Sequence, residues 1–151
     1  MNDKTQKMFT DFIHSIDEEL IVSFNENEGY CFDTLDNRIN LALSQTDDCG
    51  FIRHLKETHK CPFAERINLI LWSILHEIGH YETENEVEEY DEDYEMKIWL
   101  MLTDETYRHN TAIQDCYFNL PVEYAATEWA KEWVENNYDK AVNFSNILNL
   151  L

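Results

Sequence analysis

Glycine and proline are scarce in this sequence, three and two residues in 151, which leaves little material for flexible linkers and predicts one domain. Positive charge is scarce as well. Eleven Lys and Arg stand against 31 Asp and Glu, a net charge of −20 that repels phosphate backbones and anionic lipid. Direct nucleic-acid or membrane-surface binding is therefore not expected, whereas a basic protein partner or a DNA-mimicking role is compatible. Long apolar runs are missing too. The densest, Ile67 to Leu75, is interrupted by Asn68 and Ser73 and falls well short of the roughly 20 residues that span a bilayer. The first dozen residues lack an apolar signal core, so a cytoplasmic location is expected. In that compartment Cys31, Cys49, Cys61 and Cys116 are expected as reduced thiols. Cys49, His54, His59 and Cys61 lie close in sequence, but without the close Cys pair of a structural zinc site they read as loop residues.

What is present is apolar material for a core: 44% hydrophobic residues, 13% aromatic. Met8, Phe9, Phe12, Ile13, Ile16 and Leu20 recur with a helical period and predict an opening helix over residues 4–20. Tyr30 to Phe32 and Ile39 to Leu43 read as short strands joined by a turn over 33–38, and residues 44–62 read as a polar loop. A second helix is expected from Phe63 to Tyr81, striped by Ile67, Ile70, Leu71, Ile74, Leu75 and Ile78. Residues 82–95 hold nine acidic side chains in fourteen and no Lys or Arg, which reads as a solvated loop insertion. Met96 to Leu102 fits either strand or helix. Pro121 opens a last helix reaching about Tyr138, and the apolar tail after Ala141 is expected to dock on the body.

The second helix contains His76-Glu77-Ile78-Gly79-His80, an HExxH motif. Residues four apart share a helix face, so two imidazoles can hold one zinc ion. Glu77, beside them but not a ligand, is placed to act as general base toward a water. A catalytic zinc takes three protein ligands and keeps one position open. Glu123 is the leading third ligand. On the last helix it falls in the same arc as Val122, Ala126, Trp129, Ala130, Trp133 and Val134, while Glu128, Lys131, Glu132 and Glu135 fall on the wet side. A carboxylate facing a core is costly unless paired or metal-bound. Glu105 and Glu95 are the competing third ligands, and Tyr90, Tyr107, Arg108 and His109 are candidates for steadying a developing oxyanion.

Taken together, the stretch Ile74 to Tyr81 and the pattern Glu123-x-x-Ala126-x-x-Trp129-Ala130 resemble the ImmA/IrrE family of bacterial and phage zinc metallopeptidases. The resemblance implies an α+β, zincin-like domain: an N-terminal helix, a short antiparallel or mixed sheet, the HExxH helix and a C-terminal ligand-bearing helix. It implies zinc held by His76, His80 and Glu123, with Glu77 as general base and Trp129 in the family's aromatic position. Thr127 stands where the family has Asn or Asp. The implied activity is hydrolysis of a protein or peptide substrate, such as a basic DNA-binding repressor. A catalytically silent acidic binding protein on the same scaffold is the alternative, and a zinc hydrolase of non-peptide substrates is a third reading.

Overall fold

A computed structural model describes residues 2–86, 96–97, 100–101 and 110–151. The architecture is mixed, with six α-helices and one three-stranded sheet among the described residues. The chain divides into two compact units, Met1–Thr46 and Asp47–Leu151.

The first unit opens with α1 (Asp3–Ile16), capped by the Asn2 side chain, which accepts from the Thr5 amide at 2.8 Å. Its buried residues are Phe9, Phe12 and Ile13, the centre of the expected stripe. The helix stops four residues before the expected end, where Asp17 turns extended and its N–H bonds back to the Ile13 carbonyl. Three short strands follow: β1 (Ile21–Ser23), β2 (Cys31–Asp33) and β3 (Arg38–Asn40). β3 lies between the other two, parallel to β1 and antiparallel to β2, so the sheet is mixed. β1 is a strand that sequence patterning overlooked. Three residues leave no room for alternation, and the pairing with β3 is what makes them a strand. One buried side chain organises the loop between β1 and β2. The Asn40 amide donates to the carbonyls of Asn25 and Gly29, both at 2.7 Å. Its oxygen accepts from the Asn25 amide and the Ser23 hydroxyl, both at 2.8 Å.

The second unit begins inside the segment expected to be a polar loop. Residues Phe51–Glu57 form helix α2, which turns Phe51, His54 and Leu55 inward. Gly50 precedes it at φ +83°, a left-handed conformation suited to glycine. The expected helix over 63–81 begins only at Leu69. Ala64–Arg66 form a separate 3₁₀ turn, Ile67 is extended, and the Asn68 side chain caps the Ile70 amide at 2.8 Å to start α3 (Leu69–Thr83). The apolar residues of 63–67 had blurred that boundary. Met96, Lys97, Leu100 and Met101 are helical. Helix α4 (Thr111–Phe118), which the sequence did not announce, is followed after two residues by α5 (Pro121–Asn136) and then α6 (Tyr138–Leu148). The tail docks as expected. α6 buries Ala141, Phe144 and Leu148, and the Ser145 hydroxyl accepts from the Asn68 amide at 3.0 Å. No helix among the described residues is long and apolar enough to cross a membrane.

Candidate metal centre

α3 is buried along most of its surface. Leu71, Trp72, Ile74, Leu75 and Ile78 are each inaccessible to solvent, and the Trp72 indole N–H donates to the Ala64 carbonyl at 2.9 Å. A helix fixed so firmly holds any side chain on its remaining face in one place. That face carries His76 and His80, with ring centroids 4.7 Å apart. Phe51 stands edge-on to His76 at 5.7 Å and also packs against Trp72 and Phe118.

α3 packs most extensively on α5. Residues Glu123, Ala126, Thr127, Ala130 and Val134 form the buried face of α5, following the helical period. A methyl group added to Gly79 would collide with the carbonyl oxygen, Cα and carbonyl carbon of Ala126, so the two backbones meet there without an intervening side chain. This close approach carries Glu123, 7% exposed, to the imidazoles. Its Oε2 lies 2.8 Å from His76 Nε2 and 3.1 Å from His80 Nε2. Ligand atoms of His76, His80 and Glu123 all lie within 4.8 Å of one another, and among the described residues no other group of three or more His, Cys, Asp or Glu has that geometry. The three form a buried group that can hold one metal ion.

Two further side chains steady this group. The Thr127 hydroxyl donates to the Glu123 carbonyl at 2.9 Å, one turn back, and lies 3.1 Å from His76 Nδ1. With its proton already committed, that oxygen can only accept from His76, which places a proton on Nδ1 and makes Nε2, the atom facing Glu123, the one available to an ion. Tyr117, at the end of α4, donates its hydroxyl to Glu123 Oε1 at 3.0 Å. The sequence marks Thr127, one helical turn after Glu123, only as a departure from the resembled pattern and does not reveal its bond to His76; Tyr117 goes unmarked, since α4 is not foreseen.

The charges respond to burial and to each other. Burial disfavours the ionised Glu77, and the nearby Glu123 carboxylate adds to that, so its pKa is raised despite His80 and His76. Burial would also raise the Glu123 carboxyl, but His80 and His76 outweigh it and hold the group well below the ordinary carboxylate range. For His80, burial opposes the charge while Glu123 favours it, and the balance pushes the imidazole up to about 9.

Glu77 itself is half-buried on α3, next to the two histidines. Glu95, Glu105, Tyr90, Tyr107, Arg108 and His109 lie outside the described residues, as do residues 87–95 of the acidic segment. Trp129 is half-buried on α5. Glu128 departs from its expected place on the wet side: its carboxylate accepts from His59 Nδ1–H at 2.5 Å. A nearby buried imidazole draws it in, a partner that a helical wheel cannot display. Among the described residues, no residue of the Cys49–Cys61 stretch belongs to a group with metal-holding geometry. Instead its two histidines are core residues. His54 stacks on Phe118 at 5.1 Å and meets His59 edge-on at 5.0 Å, and neither of its ring nitrogens has a hydrogen-bond partner among the described residues.

No protein-family model matches the chain, and no match is found among curated proteins or solved structures.

Proposed function

We propose that the chain is a zinc-dependent metallopeptidase, with His76, His80 and Glu123 as the zinc ligands and Glu77 as the general base. The observation that carries this reading is the convergence of two imidazoles four residues apart with a buried carboxylate from another helix, directly beside a fourth residue suited to moving protons. Two nitrogens and one oxygen are the donor set of a catalytic zinc that keeps a fourth position open, so the residues fit the ion. The resemblance of the two helices to the ImmA/IrrE pattern supports the same assignment.

When bound, zinc supplies an acidified water and polarises a carbonyl. The protein's own part lies with three side chains. Glu77 accepts a proton on its carboxylate and delivers it to the departing amine nitrogen; burial, by raising its pKa, brings it nearer to the pH at which it must both take and give that proton. Thr127 holds the His76 tautomer. Glu123 closes the site from the α5 side. The net charge of −20 favours a basic substrate by long-range attraction, consistent with a cytoplasmic DNA-binding repressor.

The test is elemental analysis of purified protein combined with turnover of casein and of a basic peptide library, with and without chelator. One zinc per chain, lost in His76→Ala, with activity abolished in Glu77→Gln while zinc is retained, is the expected outcome. Zinc bound but peptides untouched by wild type would favour a different hydrolase. A function unaffected by Glu77→Gln would favour the acidic binding protein.

A further inference from the structure

The contact between Tyr117 and Glu123 bears on how the carboxylate would meet a metal. The two oxygens of Glu123 are not equivalent. Oε2 faces both imidazole Nε2 atoms, at 2.8 and 3.1 Å, whereas Oε1 is turned to the Tyr117 hydroxyl at 3.0 Å. Neither end of this pair can swing freely. Glu123 sits in the first turn of α5, 7% exposed, with its own carbonyl bonded to Thr127 one turn on. Tyr117 belongs to the last turn of α4, joined to α5 by Asn119 and Leu120 alone, and the Leu120 N–H bonds back to the Tyr117 carbonyl at 3.1 Å. α4 is itself anchored in this unit. Asp115 pairs with Arg53 of α2 at 2.9 Å, and the Phe118 ring packs on Phe51 and His54.

We propose that Tyr117 is a positioning residue that makes Glu123 a one-oxygen ligand, and so keeps a coordination position open beside Glu77. This rests on the metal reading above. A carboxylate free to rotate can present both oxygens to a cation and chelate it, which takes up a position that a water would otherwise hold. A phenol donating to Oε1 takes one of that oxygen's two lone pairs and holds the carboxylate turned, so that Oε2 alone faces the two imidazoles. Orientation of a ligating carboxylate by an outer hydrogen bond is a general way of tuning a metal site. The tyrosine thus separates a site that only stores an ion from one that can present water to a base.

Cobalt can be read out without a substrate. Co²⁺ in a four-coordinate, tetrahedral site absorbs strongly in the visible, and a fifth ligand atom weakens the band. Wild type loaded with Co²⁺ is expected to show the intense four-coordinate spectrum, and Tyr117→Phe to keep its cobalt but lose band intensity as Glu123 takes the ion with both oxygens. An unchanged spectrum in Tyr117→Phe overturns the proposal, as does a weak five-coordinate spectrum in wild type. Failure of wild type to bind Co²⁺ in a His76-dependent manner overturns the metal reading itself, and this proposal with it. Should Tyr117→Phe not fold, X-ray structure determination of the zinc-loaded wild type decides. One Glu123 oxygen on the metal and the other on Tyr117 upholds the assignment; both oxygens on the metal overturn it.

Discussion

Gly79 and Ala126 touch backbone to backbone, and the distance between the histidines and Glu123 depends on that contact. A Cβ on Gly79 has nowhere to go, because the atoms it would strike belong to the α5 main chain. On an open helix face Gly→Ala would stabilise by about 1 kcal/mol through helix propensity. Here overpacking reverses the sign. Gly79→Ala is expected to cost about 1–3 kcal/mol and to push Glu123 away from the imidazoles. Thermal melts and metal stoichiometry of the variant check this; a stabilised Gly79→Ala that binds metal normally would refute it.

Thr127 offers a test that barely alters shape. Thr127→Val removes the oxygen that accepts from His76 Nδ1–H and leaves a buried donor unmet. Metal affinity is expected to fall by about 10- to 100-fold, while Thr127→Ser retains most of it. Competition titration with a chromophoric chelator measures both variants side by side.

Glu123→Ala separates the leading third ligand from its competitors. Because Oε2 is close to both Nε2 atoms, its removal is expected to weaken zinc binding far more than Glu105→Ala or Glu95→Ala does. Zinc affinity equal in wild type and Glu123→Ala would move the third ligand elsewhere.

His54 predicts a pH dependence of stability whose main cause is burial. Burial pushes its pKa down to about 4; His59, Arg53 and His76 also oppose its charge, and only Asp115 favours it. In the unfolded chain the ring titrates near 6.5. Between about pH 6.5 and 4 the unfolded state therefore binds more protons than the folded state, so stability rises with pH across that window. The contribution is complete above about 6.5 and is lost as pH falls toward 4. Urea unfolding at neutral pH and near pH 5 should show the loss, and His54→Phe, which keeps a ring against Phe118, should shrink it. Equal losses in both proteins would assign the effect to another group.

The parts of this molecule that were legible from sequence are those where local pattern and tertiary demand coincide. α5 is one. Pro121 marks its start, and of the expected arc Glu123, Ala126, Ala130 and Val134 are buried while Val122, Trp129 and Trp133 are half-buried. His76 and His80 followed from a spacing of four. What escaped notice was set by partners distant in sequence. α2 carries only Phe51, Ile52 and Leu55 as apolar residues, and its burial rests equally on His54, which hydropathy counts as polar. Glu128 reads as solvent-facing because nothing near it in sequence reveals His59, 69 residues away. β1 exists through β3. Tyr117 reaches Glu123 only because a two-residue connection folds α4 back beside the start of α5.

Asn40 gives the first unit an order of assembly. The loop after β1 takes its shape from a side chain 15 residues downstream, which satisfies two of its carbonyls and one of its amides at once. Until β3 has been laid against β1, the Gly29 carbonyl and the Asn25 amide lack this partner, and the Asn25 carbonyl has its local bond from the Glu28 N–H. The loop's full set of bonds therefore requires a non-local encounter, the closing of the sheet. A carboxylate at this position, as Asn40→Asp or spontaneous deamidation would produce, turns two donors into an acceptor facing two carbonyls. Chemical ageing at this one buried amide would unfasten the loop without touching any helix.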